Sequence, residues 1–356
     1  MEKHLLEIVN KFQIKGVPNY IEKYGNGHIN KTYLLKTDTN DYILQQINSH
    51  AFKDVDLLMN NISVVTDYIR SIGQESMTII KTKDNELYYK AGENEYYRIY
   101  DFVMNTKCIE SITDISLVDK DAEAFGMLHK NLAKLDASKL GETIPQFHDT
   151  PKRYRDLMLA IKEDRVNRLS TCLDEVNYAK TLEDKISLVV DGLKDGSINF
   201  ATTHNDPKIN NVLFDDKTGD VRCVIDLDTI MPGSILYDVG DSFRSLFTGC
   251  NESSTDLSLL VVDYDIFRHY VRNYLKEMKD VITPRELELI PYSAFLLTAE
   301  CGMRFLEDYL KGDVYFAIHS PDENLIRCRT QFALAKDINN NLDKLSKIVE
   351  EEFYIL

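Results

Sequence analysis

Apolar and polar residues alternate through the first hundred positions, then give way to apolar residues spaced three and four apart. A short amphipathic helix is predicted over 2–13. The alternation predicts strands over 19–25, 31–37 and 42–47, broken at Gly25-Asn26-Gly27-His28-Ile29-Asn30 and at Asp38-Thr39-Asn40-Asp41. Phe52, Val55, Leu58, Met59, Ile62, Val65 and Ile69 then recur at helical spacing. Strand character returns over 77–81, 86–90 and 95–103, with Lys83-Asp84-Asn85 as a turn. From about Leu117 the period becomes helical, predicting helices over 121–135, 151–168, 174–193, 236–247, 261–278, 284–310 and 324–350. Two short strands, 211–214 and 222–225, interrupt them around the turn Asp216-Lys217-Thr218-Gly219. The pattern predicts an α+β protein with a β-rich lobe over 1–104 and a helical lobe over 105–356. Sites favour domain junctions, so a ligand is expected in the cleft between the lobes.

Composition narrows the class. The 356 residues are 44% hydrophobic and 28% charged, ordinary values for a globular protein. No apolar run is long enough to span a bilayer, and Met1-Glu2-Lys3-His4-Leu5 does not open a secretory signal. The six cysteines are scattered with no C-x-x-C, so reduced thiols in a cytoplasmic protein are expected and a zinc site is not. A net charge of −16 disfavours nucleic acid as a partner. It also means that any site for an anion must concentrate positive charge locally or import it with a metal.

The chemistry gathers in Thr203-His204-Asn205-Asp206-Pro207-Lys208-Ile209-Asn210-Asn211-Val212-Leu213-Phe214 and in Val224-Ile225-Asp226-Leu227-Asp228. Phosphoryl transfer from ATP needs a carboxylate to orient a hydroxyl and accept its proton, and oxygen ligands for the metal on the phosphates. Asp206 fits the base, and Asn211 and Asp226 fit Mg²⁺ ligands, since magnesium usually takes only one or two oxygens from protein. A D-x-x-x-x-N match alone is common. Its specificity comes from His204 before it, the apolar triplet after Asn211, and the apolar run ending in Asp226. The plainer reading is a polar loop in which Asp206 caps a helix.

The H-N-D-P-K-x-x-N-V-L-F and V-I-D-L-D strings resemble the aminoglycoside phosphotransferase family, which shares the two-lobed protein-kinase-like fold. I-D-L-D-T-x-M-P-G and the late R-F-L-x-D-Y-L-x-G-D-x-Y-F string resemble more narrowly its N-acetylhexosamine 1-kinase branch. The resemblance implies an ATP- and Mg²⁺-dependent kinase that phosphorylates the anomeric hydroxyl of N-acetylglucosamine or N-acetylgalactosamine. It is expected to need no nucleic acid or membrane, and to be a monomer. Kinases for other small alcohols (an aminoglycoside, choline, homoserine) and a non-catalytic nucleotide-binding module are the rivals.

By the same resemblance, Gly25 and Gly27 would let the backbone approach the triphosphate, although N-G is also an ordinary turn signal. His28 at the tip would reach the sugar or the γ-phosphate. Tyr100, Phe102 and Val103 would wall and hydrogen-bond adenine, or simply be core aromatics ending a strand. Lys208 would approach the transferred phosphate. Asp238 would brace the catalytic loop, and Asp241 and Arg244 would form a helical ion pair. Asp228 would contact substrate, hold a second metal, orient Lys208 or cap a turn. Arg304 and Tyr315 would contact the hexosamine, with a salt bridge from Arg304 to Glu300 or Glu307 as the plainer alternative. His148-Asp149-Thr150-Pro151 predicts a helix start. One departure stands out: where family members carry a lysine or arginine on the third strand, this chain has Gln45-Gln46, leaving Lys36 or Arg98 as candidate substitutes.

Overall fold

A computed structural model describes residues 3–25, 29–247 and 252–356. It divides into two compact units, 1–109 with 134–145 and 211–232, and 110–133 with 146–210 and 233–356. Asn211 and Asp226 therefore belong with the first unit and Asp206 and Lys208 with the second.

In the first unit, α1 (Lys3–Val9) precedes the antiparallel strands β1 (Pro18–Lys23), β2 (Lys31–Thr37) and β3 (Asp41–Ile47). Helix α2 (Val55–Ser71) follows, then β4 (Ile79–Ile80), β5 (Tyr89–Gly92), β6 (Glu95–Asp101) and β7 (Thr106–Lys107). The sheet runs β1-β2-β3-β6-β4, with β5 also paired to β6. Alternation on β3 buries Tyr42 and Leu44. With Leu35, Tyr97 and Ile99 they meet Leu5, Ile8 and Val9 of α1 and Phe12 just after it in one apolar cluster. Asp54 caps α2 by accepting from the Leu57 amide at 2.9 Å. Asn61, buried in that helix, donates to the carbonyls of Gly141 and Ile230 at 2.7 and 2.9 Å. These bonds tie 134–145 and 211–232 to the first unit.

The second unit is helical: α3 (Ile115–Leu132), α4 (Thr150–Glu163), α5 (Leu173–Lys180) and α6 (Leu188–Asp195) lead to strand β8 (Ala201–Thr203). The chain then crosses to β9 (Val212–Asp215) and β10 (Val221–Val224), which form a sheet with β7 in the first unit. After β11 (Met231–Gly233) it returns as α7 (Ile235–Phe247), α8 (Tyr264–Met278), α9 (Pro284–Lys311), α10 (Glu323–Asn340) and α11 (Leu342–Ile355). No helix among the described residues is long and apolar enough to cross a membrane.

Three predicted helices end differently from their apolar periods. The helix over 151–168 stops at Glu163, where Asp164 turns left-handed and its carboxylate accepts from the Arg168 and Leu169 amides. The one over 174–193 breaks after Lys180, where the Thr181 hydroxyl bonds back to the Tyr178 carbonyl at 2.7 Å. The one over 324–350 becomes α10 and α11 at Asn341, whose amide returns to the Asp337 carbonyl at 2.8 Å. In each case a side chain satisfies a backbone group that continued helix would have used, a competition that apolar spacing does not register.

Helices α7 and α9 pack closely enough that Gly240 lies against the backbone of Ser293. A Cβ at Gly240 would stand 2.3 Å from the Ser293 carbonyl oxygen. Backbone cannot yield as a flexible side chain can, so Gly240→Ala is expected to destabilise the protein by about 3 kcal/mol. Urea unfolding of the two proteins measures it; a loss under ~0.5 kcal/mol would show the helix pair to be looser than described.

Candidate active site

In the second unit, the loop after β8 is built around a buried carboxylate. Asp238, in the first turn of α7, accepts the backbone N–H of His204 at 2.7 Å and of Asn205 at 2.6 Å. Its Oδ2 also takes the Nε2 hydrogen bond of His129 at 2.7 Å, and His129 Nδ1 meets the Tyr274 hydroxyl at 2.8 Å. Burial works against the Asp238 charge, but His129, His204 and the amide bonds outweigh it and hold the carboxyl below the usual range. Asn205 adopts φ +64°, a left-handed conformation that asparagine tolerates better than most residues. The two bonded amides thus fix a sharp bend immediately before Asp206. The expected bracing role of Asp238 has this geometry. His129 was not anticipated; its only sequence signal is a histidine on an otherwise apolar helix face.

Asp206 is half-buried and its Oδ1 lies 2.6 Å from Lys208 Nζ. Desolvation opposes the Lys208 charge, yet Asp206, with help from Asp241, holds the ammonium above its ordinary value. Asp241 and Arg244 form the anticipated i,i+3 pair at 2.6 Å, and Arg244 also reaches Glu252 at 2.9 Å.

Arg304 lies on α9 in the same unit. Its guanidinium carbon sits 5.0, 5.8 and 5.6 Å from the ring centroids of Phe147, Tyr315 and Phe316. The salt bridge to Glu300 or Glu307 does not form. Glu300 is taken by His148 Nδ1 at 2.8 Å and the Thr150 hydroxyl at 2.5 Å, and Glu307 by Lys311 at 2.5 Å. Tyr315 and Phe316 are held by Asp308, whose carboxylate collects the amides of Val314, Tyr315 and Phe316 at 2.9, 2.8 and 3.0 Å. The Gly312-Asp313 turn, with both residues at positive φ, brings them there. Asp149 caps α4 as the helix start requires, whereas His148 packs against Phe147 and Tyr237.

The first unit carries Asn211 and Asp226, the metal ligands expected from the sequence. The Ile225 amide bonds to the Asn211 carbonyl at 2.8 Å, continuing the β9–β10 ladder and setting Asn211 beside the chain that leads into Asp226. Asp226 is exposed and left-handed at φ +58°, and it opens the 3-10 turn Leu227–Thr229. No group of three His, Cys, Asp or Glu residues suited to a metal occurs among the described residues. An amide oxygen and one carboxylate are nonetheless the hard-donor set that magnesium accepts when phosphate and water complete its shell.

Asp228 is buried, 2.6 Å from Arg98 on β6, and accepts from Asn30 at 2.7 Å. Within the second unit, the ion-pair partner of Lys208 is Asp206. Of the two candidate substitutes for the strand cation, Arg98 is buried and Lys36 is exposed. Tyr100 is interior beside Arg98, 5.2 Å from guanidinium carbon to ring centroid, and Phe102 packs edge-on against Tyr24. The Val103 carbonyl accepts from the Thr106 hydroxyl at 2.7 Å. Gly25 has φ +73° with open space around it, and Gly27 and His28 lie outside the described residues.

Because the Asp238 carboxyl is held low, its contribution to stability is complete above about pH 4 and fades as pH falls through its folded-state value. Asp238→Asn is therefore expected to cost about 3–5 kcal/mol at pH 7 and less at pH 3. Denaturant titrations at both pH values measure this, and an equal cost at both would refute an ionised brace.

The comparisons with known proteins agree with this architecture. An aminopropanol kinase associated with a microcompartment superposes with a TM-score of 0.61 at 12% identity, covering 96% of this chain and 98% of that one. An amicoumacin kinase solved with AMP-PNP and Ca²⁺ gives 0.62 at 12% identity, covering 96% and 93%. A choline kinase from Streptococcus pneumoniae gives 0.51 at 14% identity, covering 91% and 94%. At these identities the likeness establishes the kinase-like fold of an antiparallel-sheet region and a helical region. The family model for the phosphotransferase enzyme family matches residues 21–257, and the chain belongs to that family.

Proposed function

We propose that this phosphotransferase is an N-acetylhexosamine 1-kinase, moving the γ-phosphoryl group of ATP to the anomeric hydroxyl of N-acetylglucosamine or N-acetylgalactosamine. Asp206 would orient the C1 hydroxyl and take its proton. An anomeric hydroxyl is more acidic than an ordinary alcohol, so a carboxylate suffices. Lys208, already a cation at 2.6 Å from Asp206, would stabilise charge on the transferred group. Asn211 and Asp226 would hold Mg²⁺, whose contribution is to neutralise the phosphates. Asn211 lies only five residues along the chain from the base. In the first unit, Gly25 would admit the phosphates, and Phe102 and Val103 would meet the adenine. The described cysteines are all free thiols, which fits a cytoplasmic enzyme.

The observation that carries the acceptor assignment is Arg304. Among the described residues it makes no hydrogen bond or ion pair, although three aromatic rings surround it. Its donors are left for an acceptor rich in hydroxyl and carbonyl oxygens, with Tyr315 offering a ring face to a sugar. The same arrangement disfavours a cationic acceptor such as choline or an aminoglycoside. A quaternary ammonium seeks aromatic faces, and here a guanidinium of the same charge stands beside all three rings. The nearby carboxylate, Glu300, is committed to His148 and Thr150.

ADP release from Mg-ATP across N-acetylhexosamines, free hexoses, choline and kanamycin, with the phosphate located by NMR, tests the reading. Turnover of an N-acetylhexosamine to its 1-phosphate is expected, and Asp206→Ala should lower kcat by about a hundred- to ten-thousandfold. Arg304→Ala should raise the acceptor KM about ten- to a hundredfold while leaving that for ATP near its parent value. Turnover restricted to choline or kanamycin would discard the sugar assignment, and a parent inactive on every acceptor would sink the proposal.

A further inference from the structure

The first unit contains a chain of polar contacts that the phosphotransfer roles above do not use. Arg98 on β6 faces Gln45 across the β3–β6 ladder, and its Nε donates to Gln45 Oε1 at 2.9 Å. Its Nη1 lies 3.8 Å from Met59 Sδ, so α2 meets the guanidinium with a thioether rather than a carboxylate. Its Nη2 lies 2.6 Å from Asp228 Oδ1. The other Asp228 oxygen accepts from Asn30 Nδ2 at 2.7 Å, and Asn30 Oδ1 in turn accepts from the Asn48 amide at 3.0 Å. The Asp228 carbonyl takes the Thr143 hydroxyl at 3.2 Å.

Two features say what this chain does. Arg98 is 1% exposed and each guanidinium nitrogen already meets a partner, so burial keeps it from reaching out to a phosphate. It differs in this from a strand lysine that reaches the nucleotide. The contacts also converge on a residue two positions beyond Asp226, which is exposed at the start of a single 3-10 turn. Anchoring Asp228 at both oxygens and at its carbonyl leaves that turn little freedom, and the direction of the Asp226 carboxylate is set with it. At the other end, Asn30 closes the glycine-containing segment that begins at Gly25 and leads into β2.

We propose that Gln45, Arg98, Asp228 and Asn30 form a positioning chain that fixes the Asp226 carboxylate relative to the end of the glycine segment. It takes the place of the strand lysine and its carboxylate partner. The inference rests on Asp226 being a metal donor, as proposed above. Groups that orient a metal ligand typically change metal affinity ten- to a hundredfold when removed. The chain acts through Asp226 and touches neither nucleotide nor acceptor.

Calorimetric titration with ADP, in the presence and absence of Mg²⁺, tests it. Asn30→Ala removes one strut and keeps the Arg98–Asp228 pair. It is expected to raise the Kd for Mg-ADP about tenfold or more and to change the Kd for metal-free ADP less than twofold. The unfolding midpoint of the apo variant, measured alongside, shows that binding is read on folded protein. The double variant Arg98→Gln with Asp228→Asn removes both buried charges together, so neither is left unpaired, and the same selective loss is expected. A Kd for Mg-ADP within twofold of the parent in both variants would overturn the positioning role while leaving the kinase reading intact. Equal loss with and without metal would also overturn it, because a general loosening would be the cause. A parent that binds no Mg-ADP would overturn both.

Discussion

The catalytic loop depends on one buried carboxylate receiving two consecutive backbone amides. Neither amide could be left unbonded in the interior without a cost of about 1–3 kcal/mol each. Asp238 removes that cost for His204 and Asn205, and His129 supplies the third contact that keeps the carboxylate charged. The bend at Asn205 follows from these bonds, and the direction of Asp206 follows from the bend. Asp238, His129 and Tyr274 come from α7, α3 and α8, so the packing of three helices is translated into the position of one loop. The close approach of α7 to α9 at Gly240 seats the helix that carries the brace.

The first unit solves a related problem differently. As the proposed metal donor Asp226 has to stay exposed, so it cannot be packed in place. Its neighbour two residues on is packed instead, and a buried arginine and an asparagine hold it. Breaking such a buried pair is costly, whereas keeping it contributes little net stability. A buried pair at this position is better understood through the geometry it imposes than through the energy it adds.

Much of this was legible in the sequence because it depends on local periods and on short spacing. The strands at 31–37 and 42–47, the long helix from Pro284 and the turn between β9 and β10 all sit where alternation, helical spacing and turn residues put them, and motif context singles out Asp206, Asn211 and Asp226 as the expected site. Asp238 could be assigned because the family resemblance implies an acidic residue after the Pro232-Gly233 break. His129 and the Glu300–His148 pair could not. Their partners lie more than a hundred positions away, and nothing local distinguishes such residues from ordinary helix positions. The helix ends at Asp164, Thr181 and Asn341 were missed because single side-chain-to-backbone bonds decided them. For Arg304, the local spacing suggested glutamate partners, but distant His148 and Thr150 engage Glu300, Lys311 one helical turn on engages Glu307, and aromatic rings are left as its neighbours.

The buried setting of the brace also bears on how the protein responds to its surroundings. Most of its charges lie on the surface, where added electrolyte weakens attraction and repulsion over a Debye length of about 10 Å at 0.1 M ionic strength. The contacts of Asp238 lie where mobile ions do not penetrate, since neither its side chain nor that of His129 has any solvent exposure. An acidic chain with a net charge of −16 becomes less self-repelling as salt rises, while the geometry of its catalytic loop stays indifferent to it. Salt would therefore act on this protein through long-range steering of charged ligands rather than through the shape of the loop that Asp238 holds.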